Sequence, residues 1–274
     1  MSSTSPRLLR AGIAALLGIG AVLVSVPFIW MISGSLKPES EVLDIPPTLW
    51  PRELTWDNYV QLFTQLDFGV YLGNSLMVVV LSFVGLLLRA MTGYGFAKFR
   101  FPGKGPLYGV VLATMMIPDQ VTMIPTYLIL NQLGLTNTIP GIVLPGLVSA
   151  FNVFLFRQFF TTIPDEMLEA ARLDGAGELR IFLQVVLPVS GPILAIQAIL
   201  TFIASWNSFL WPLIVATDQD RYTLPVGLAL LEGQYSSNYG VLMAGAAVMV
   251  LPVLVVFVFC QRYVVRGFMM SGLK

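Results

Sequence analysis

Six apolar stretches, each close to the length that an α-helix needs to cross a membrane, run through the 274-residue sequence. A helix must supply about 20 apolar residues to cross the hydrocarbon core of a bilayer. Only 11% of the residues are charged, whereas a soluble domain has about a quarter. The sequence therefore predicts an all-α, polytopic membrane protein with six transmembrane helices. The predicted spans are residues 11–32, 70–96, 106–129, 140–160, 188–216 and 239–264.

The first stretch follows Arg7 and Arg10, an arrangement that is also found in secretory signal peptides. Its apolar run is longer than the 7–15 residues of a signal-peptide core, and it ends in SVPFIWMISGSLK, which is not a small-residue cleavage site. We therefore expect a retained first helix.

The basic residues predict the orientation, because cytoplasmic loops carry an excess of Lys and Arg. With the N-terminus inside, 12 of the 15 basic residues fall on the cytoplasmic side and three, Lys37, Arg52 and Arg221, fall outside. Two of the 12, Arg89 and Arg157, lie near the cytoplasmic ends of their helices, where long side chains can snorkel to the interface. Both termini are predicted to be cytoplasmic. The other ten are Arg7, Arg10, Lys98, Arg100, Lys104, Arg172, Arg180, Arg262, Arg266 and Lys274.

Several kinds of chemistry find no support in the composition. The chain has no histidine, which excludes histidine metal sites, Ser-His and Cys-His catalysis and histidine proton relays. The single cysteine, Cys260, lies in an apolar run, where a buried inert thiol is the usual state. A net charge of zero gives no electrostatic support for a nucleic-acid partner. No G-x4-G-K-[ST] phosphate loop is present, so we expect a protein that is not itself an enzyme and holds no cofactor.

Two connections differ from short turns. Residues 33–69 form a proline-rich loop that is predicted to be external, with Trp and Tyr side chains suited to the membrane interface. Residues 163–187 form a polar cytoplasmic loop. Its first helix is expected to begin at Pro164, with the proline and two carboxylates in the first turn. Gly175 and Gly177 allow a reversal, and a second short helix is expected from about residue 178 to 186, ending at Pro188.

Within this cytoplasmic loop, Glu169 and Arg172 are spaced to form an ion pair on one helix. The loop is too polar for the bilayer core, yet it presents small side chains and methyl groups. Two interpretations fit these features equally: a plug for a groove on a partner protein, or an amphipathic helix that rests on lipid headgroups.

Polar residues inside the spans are candidates for a solute pathway, although most such residues only join helices together. Prolines around Asp119 predict a break in the third helix that exposes backbone to a cavity. Aromatic faces and an amide suited to a sugar are offered by Trp206, Asn207, Phe209 and Trp211, but Trp near the interface is commonly an anchor. The candidates are Asp119, Asn152, Gln197, Trp206, Asn207 and Ser208.

The basic residues also bear on the solute. None lies between Lys104 and Arg157, or between Arg180 and Arg221, so helices three to five offer no cation in their outer halves. This pattern favours an uncharged polyhydroxyl solute, provided that a partner subunit does not supply the charge.

The cytoplasmic loop carries a recognisable motif. EAA is followed by three residues, a glycine, nine residues and V-x-L-P, at Glu169, Ala170, Ala171, Gly175, Val185, Leu187 and Pro188. This spacing resembles the EAA loop of ATP-binding-cassette (ABC) importer permeases, EAA-x3-G-x9-I-x-L-P, with valine in place of isoleucine. The segments YGFAKFRFPGK, MIPDQVTMIPTYLIL, SWNSFLWPL and QRYVVRGFMMSGLK resemble the carbohydrate-uptake branch of that family, which includes the maltose-type permeases.

The resemblance implies the type I importer permease fold over residues 1–274 and a multi-pass subunit in the bacterial inner membrane. Such a subunit moves a sugar or sugar-like solute that an extracytoplasmic binding protein delivers. It works beside a second permease and two ATP-binding subunits, which hold the ATP and Mg²⁺. The residues implied in coupling to the ATPase are Glu169, Ala170, Ala171, Asp174 and Gly175. Those implied in contact with the binding protein are Glu232, Gln234 and Tyr235, and the tail beyond Arg262 would touch the ATPase subunits.

Two other classes remain as alternatives. An ion-coupled secondary transporter commonly needs intramembrane carboxylates and an internal repeat, whereas this chain has one deep acid, Asp119, and no evident repeat. A membrane-embedded enzyme would need a cluster of catalytic groups, and the sequence does not indicate one.

Overall fold

The computed structural model describes residues 6–234 and 238–271, and every regular element in those ranges is a helix. The all-α prediction is therefore confirmed for the described part of the chain. The helices are Pro6–Ser35 (α1), Glu39–Val42 (α2), Asp57–Thr64 (α3), Phe68–Lys98 (α4), Lys104–Thr114 (α5), Asp119–Gln132 (α6), Ile139–Val143 (α7), Ala150–Phe160 (α8), Asp165–Leu173 (α9), Glu178–Ile181 (α10), Leu187–Val189 (α11), Gly191–Trp206 (α12), Leu210–Val215 (α13), Leu224–Gln234 (α14) and Tyr239–Ser271 (α15). Short 3₁₀ turns lie at Leu144–Gly146 and Gln219–Arg221.

Three helices are long and apolar enough to cross a membrane alone, within α1, α4 and α15. Three more spans result if each of three bent pairs counts as one: α5 with α6, bent by 102°, α7 with α8, bent by 47°, and α10–α11 with α12, bent by 85°. The chain thus has between three and six candidate spans among its described residues. Their number and apolar character support a membrane protein, and the topology with both termini inside stays a prediction.

The break predicted in the third span is confirmed. α5 ends at Thr114, and α6 begins again at Asp119 after an extended Pro118 (φ −60°, ψ 137°). A proline has no N–H for the helical ladder and disfavours helical backbone at the residue before it. The chain therefore leaves α5 and starts α6 in a different direction.

The bend predicted at Pro188 is present, but it lies two residues later, at Ser190. The backbone stays helical from Glu178 through Val189, by way of a π-helical turn at Phe182–Val186, and bends only at Ser190. The π turn already makes the hydrogen-bond ladder irregular, which accommodates a proline without an N–H directly after it. The predicted fifth span also ends early, because α12 stops at Trp206 and α13 is a separate helix.

The chain divides into two compact units, Met1–Phe68 with Leu228–Leu251 and Gly69–Gly227 with Pro252–Lys274. In the first unit, a buried polar network orders the loop at residues 33–69. The ammonium of Lys37 donates to Thr48 Oγ1 at 3.0 Å, and Thr48 Oγ1 donates to Glu41 at 2.9 Å. The backbone N–H of Arg52 also donates to Glu41 at 2.9 Å, which holds the pKa of that carboxyl below its usual value. The loop therefore contains a defined fold with two short helices, α2 and α3.

Also in the first unit, Asn58 ties α3 to the end of α1. Its amide donates to the carbonyls of Ser35 at 3.0 Å and Lys37 at 2.8 Å. A Cβ added at Gly240 would lie 2.6 Å from Asn58 Oδ1, so a larger residue there would displace the hydrogen-bonded Asn58 side chain. Small residues at such contacts allow helices in membrane proteins to approach closely.

In the second unit, one apolar cluster joins the loop at residues 163–187 to α4 and α8. We call it the α9 anchor cluster, and its buried members are Ala90, Tyr94, Phe156, Phe160, Ile163, Leu168, Ile181, Phe182 and Val186. A Cβ at Gly93 would lie 2.5 Å from Phe156 Cβ, so α4 and α8 approach closely beside this cluster. The short helix α9 is therefore packed against α4, α8 and α10.

Candidate functional site

The predicted coupling residues lie on and just after α9, which is fixed to the end of α4. Leu168, only 1% exposed, inserts into the α9 anchor cluster. Lys98, the last residue of α4, pairs with Asp165 at 2.7 Å and also donates to the carbonyl of Ile163. The hydrogen bond and charge of Lys98 lower the pKa of the Asp165 carboxyl. One apolar contact and two polar contacts thus hold α9 in place.

The turn after α9 requires one glycine. Gly175 has a φ of +79°, in the left-handed region that glycine adopts without strain. The N–H of Ala176 then donates to the carbonyl of Ala171 at 3.0 Å, which closes the helix end. Gly177 has an ordinary φ of −71°. The predicted reversal is therefore present, and Gly175 alone provides its unusual backbone.

The ion pair predicted between Glu169 and Arg172 is wrong. Arg172 instead pairs with Glu178, with Nε–Oε1 at 2.7 Å and a second hydrogen bond from Nη2 to Oε2 at 3.3 Å. The turn at Gly175 brings the first residue of α10 beside the last turn of α9, and a two-pronged contact with guanidinium is stronger than a single one. Within the described part of the chain, Glu169 makes no ion pair.

The outer face of α9 is exposed and partly apolar. Glu169, Ala170 and Leu173 are spaced by one, three and four residues, so they share one helix face. All three are exposed, and Leu173 is 90% exposed. Leu179, 61% exposed, follows the turn. We call these four residues the α9 surface. Of the other predicted coupling residues, Asp174 and Gly175 are exposed, while Ala171 is half-buried against the anchor cluster. The α9 surface therefore combines exposed apolar side chains with an exposed carboxylate.

A cavity of about 1180 Å³ opens in the second unit. It is lined by α4 and α12, by the break between α5 and α6, by the break before α8, and by the start of α13. Three of the predicted pathway residues, Asp119, Asn152 and Ser208, line it. Phe209 and Trp211, which were also predicted as sugar contacts, line it too and provide aromatic surface.

Two helices begin at the wall of this cavity. α6 starts at Asp119 and α8 at Ala150, and their N-cap residues, Pro118 and Ser149, provide no side-chain hydrogen bond to the helix. The first N–H groups of a helix lack partners within the helix and carry a partial positive charge. These helix ends therefore favour solute oxygen atoms as hydrogen-bond acceptors.

Arg89 does not snorkel toward the cytoplasmic end of α4. It is 3% exposed, and its side chain lies back along the helix, where Nε donates to Gly85 O at 2.9 Å and Nη2 to Ser82 O at 3.3 Å. Nη2 also donates to Thr201 Oγ1 on α12 at 3.3 Å, and Arg89 lines the cavity. Helical side chains lean toward the N-terminus, which here means away from the predicted cytoplasmic end. The cavity therefore contains a cation that was assigned to the interface.

The other interfacial arginine is also held by protein. Arg157 lies over the Tyr108 ring, 4.2 Å from its centroid, and donates to Phe96 O at 3.3 Å. Contacts of this kind stabilise a cation against an aromatic face.

Three predicted pathway residues do not line the cavity. Gln197 is fully buried, and its amide N and O have no hydrogen-bond partner among the described residues. Trp206 is buried and stacks on Phe202 with ring centroids 5.7 Å apart. Asn207 donates to the carbonyl of Ile203 at 3.0 Å, at the end of α12. Their contacts favour packing and helix-capping roles.

Of the three residues predicted to contact a binding protein, two lie within the described part of the chain. Glu232 is exposed on α14, and Gln234 is the last residue of that helix. Tyr235 lies outside the described residues. The backbone of α15 continues past Arg262, but the side chains of that tail are outside the described set.

Comparisons with known proteins agree with this arrangement. Residues 85–269 match the family described as binding-protein-dependent transport system inner membrane component. The arabinooligosaccharides transport system permease protein AraQ of Halalkalibacterium halodurans is 38% identical over 258 residues, 93% of this chain and 92% of that protein. The diacetylchitobiose uptake system permease protein NgcG of Streptomyces coelicolor is 38% identical over 266 residues, 95% and 88% of the two chains.

A solved structure is similar over nearly the whole length. A chain of a bacterial ABC transporter involved in the import of the acidic polysaccharide alginate superposes with a TM-score of 0.84 at 26% identity. The match covers 96% of this chain and 99% of the other.

Proposed function

The chain belongs to the family of binding-protein-dependent transport system inner membrane components, and on that premise we propose that it is a permease subunit of an ATP-driven importer for a sugar or sugar-like solute. The named relatives transport arabinooligosaccharides and diacetylchitobiose, and the similar solved structure is an alginate importer. A cavity with aromatic side chains and many polar groups suits a polyhydroxyl solute of that kind.

The α9 surface is the observation that carries this proposal. An exposed leucine and an unpaired carboxylate stand on a short helix whose opposite face is fixed to the spans by Leu168. We propose that an ATP-binding subunit covers this surface, with Glu169 against a basic residue there, Ala170 and Asp174 at the contact, and Ala171 and Gly175 shaping it. A displacement of α9 passes to α4 and α8, because Leu168 packs with Ala90, Tyr94, Phe156 and Phe160.

The remaining subunits follow from the same premise. The importer contains a second permease, two ATP-binding subunits that hold ATP and Mg²⁺, and an extracytoplasmic binding protein that meets Glu232, Gln234 and Tyr235. The chain lies in the bacterial plasma membrane with both termini and residues 163–187 inside and residues 33–69 outside. The excess of basic residues on the inner side supports this orientation.

Energy depletion tests the proposed class of transporter. Cells that express the whole importer are incubated with a labelled oligosaccharide, either an arabinooligosaccharide or an oligogalacturonate, and ATP is depleted while the proton and sodium gradients are maintained. We expect uptake to collapse, because the energy comes from ATP. Uptake that continues under these conditions, and stops when the ion gradients are dissipated, would identify an ion-coupled secondary transporter instead.

Crosslinking tests the proposed contact independently of the solute. In a Cys260→Ser background, Ala170→Cys is expected to crosslink to an ATP-binding subunit, because Ala170 is exposed on the α9 surface. Arg52→Cys, also exposed but on the predicted external loop, is the matched control and should give no such product. Crosslinks from Ala170→Cys to lipid alone would contradict the coupling role.

A further inference from the structure

The charge of Arg89 has no counter-ion in the second unit as described. All three of its hydrogen bonds go to neutral acceptors, the carbonyls of Gly85 and Ser82 and the hydroxyl of Thr201. No carboxylate of the described residues lies within 4.0 Å of it. A buried charge is costly unless it is paired and hydrogen-bonded. The buried guanidinium is therefore the least compensated group in the cavity wall.

One nitrogen of this guanidinium is available. Nε and Nη2 both donate hydrogen bonds to protein acceptors. Nη1 makes no hydrogen bond to the described residues, and it is not fully enclosed by them. Nη1 carries two N–H donors. Because Arg89 lines the cavity, these donors are the ones that a molecule in the cavity can reach.

The other charge at the cavity wall does not cancel the first. Asp119 is exposed, and it sits in the first turn of α6, where the helix dipole favours a carboxylate. It is not within ion-pair distance of Arg89. α6 and α8, of 14 and 11 residues, both direct uncapped N-termini at the same space. The N-terminus of α6 carries the carboxylate of Asp119, whereas Arg89 has only neutral acceptors among the described residues.

We propose that Arg89 binds an anionic oxygen group of the transported solute, a carboxylate or a phosphate, and so makes the pathway selective for acidic sugars. The inference rests on the proposed function, since it assumes that the solute passes through this cavity. Guanidinium N–H groups match the geometry of carboxylate and phosphate oxygens. Phe209 and Trp211 on the same wall cover the apolar face of a sugar ring. The neutral solute predicted from the spacing of basic residues is replaced by an acidic one.

Charged thiol reagents measure the preference of the cavity for anions over cations, and the measurement needs no transport step. Ser205 lines the cavity one helical turn from Thr201 on α12, so Ser205→Cys, in a Cys260→Ser background, reports on the Arg89 end. Thr122→Cys, whose native hydroxyl donates to Asp119 O, reports on the other end. The assembled importer in membranes is treated with thiosulfonates that carry either a sulfonate or a trimethylammonium group, and the ratio of the two rates is measured.

We expect Arg89→Gln to lower the ratio of sulfonate to ammonium rates about tenfold at Ser205→Cys, as one unit charge does to an approaching ion in partly hydrated protein. At Thr122→Cys we expect less than a twofold change. An unchanged ratio at Ser205→Cys would overturn the proposal, because the charge would then be neutralised already, by the partner permease for example. If Arg89→Gln does not reach the membrane, Arg89→Met replaces it with the same expected fall in the ratio, and Arg89→Lys, which keeps the charge, is the control that should retain the ratio.

Protection experiments identify the anion. Sodium galacturonate, galactose 6-phosphate and galactose are compared at equal concentration for their ability to slow the labelling of Ser205→Cys. We expect one of the two anions to protect at least tenfold better than galactose, and that anion identifies carboxylate or phosphate as the ligand. Arg89→Lys should weaken this protection. Equal protection by galactose would overturn the proposal and leave the proposed function intact, because ATP-dependent uptake is measured separately.

Discussion

The α9 surface and the cavity that Arg89 lines differ in the environment of their unpaired charges. On α9, Glu169 is exposed to solvent without an ion pair, while the neighbouring Arg172 is paired. In the cavity, Arg89 is buried, and no carboxylate among the described residues pairs with it. An exposed charge is stabilised by water until a partner arrives, whereas a buried charge must be stabilised by the protein or by a bound molecule. The first arrangement suits docking of a subunit, and the second suits selection of a small solute.

Charge reversal on α9 should produce the largest effect. Glu169→Lys is expected to lower ATP-dependent uptake at least thirtyfold, because loss of one partner of a close interfacial charge pair costs about 2–5 kcal/mol. The amount of protein in the membrane should be unchanged, since Glu169 makes no contact that holds the fold. Uptake and membrane abundance are measured together. Glu53→Lys, at an exposed position on the predicted external loop, is the control. Normal uptake by Glu169→Lys would show that Glu169 is not part of the contact with the ATP-binding subunit.

The buried face of α9 should respond differently from its exposed face. Leu168→Ala is expected to cost about 2–5 kcal/mol, because the leucine is buried and truncation leaves a cavity. Leu173→Ala, at a 90% exposed position, should leave thermal stability unchanged and weaken uptake, since its side chain is free to meet a partner. Thermal unfolding in detergent and uptake are recorded for both. Equal loss of stability in the two variants would contradict the assignment of the two faces.

A substitution of Gln197 tests whether this residue of α12 has a packing role or contacts the transported solute. The buried amide of Gln197 lacks hydrogen-bond partners among the described residues, and such a group costs about 1–3 kcal/mol. Gln197→Leu, of similar volume, should therefore raise the stability by about that amount and leave uptake unchanged, because Gln197 does not line the cavity. Loss of uptake with unaltered stability would place Gln197 on the solute pathway after all.

The backbone of the turn after α9 provides a matched pair. A Cβ added at Gly175 or Gly177 would meet nothing within 4 Å, so the two positions differ in backbone conformation and not in space. Gly175→Ser should cost about 1 kcal/mol or more, because φ is +79° there. Gly177→Ser should be neutral, since serine is favoured at a helix N-cap. Equal stability of the two variants in thermal unfolding would contradict the special role of Gly175.

Sequence alone predicted the parts of the molecule that depend on local chemistry. The start of α9 after Pro164, the reversal at Gly175 and the break before Asp119 all follow from residues that act on their own backbone. The predictions that failed depend on distant contacts. Arg172 chooses Glu178 because the turn brings α10 beside it, and Arg89 is drawn into the cavity by acceptors on α4 and α12.

Substitution of Asp165 gives the smallest predicted effect. It tests whether the ion pair between Lys98 and Asp165 stabilises the position of α9, in contrast to Glu169, which is proposed to meet a partner subunit. The pKa of Asp165 is lowered by Lys98, so the native state favours the ionised carboxylate more than the unfolded chain does. The pair therefore contributes stability above the usual aspartate pKa of about 4, and this contribution is lost as the pH falls through the lowered value. Between pH 5 and pH 3, the melting temperature of Asp165→Asn should fall less than that of the unaltered protein. Because Asp165 is 72% exposed, the difference is small. Identical pH profiles would show that Lys98 holds α9 only through its hydrogen bond to the carbonyl of Ile163. The attachment of α9 to α4 would then not depend on the carboxylate charge, whereas the proposed contact of the α9 surface with a partner depends on the charge of Glu169.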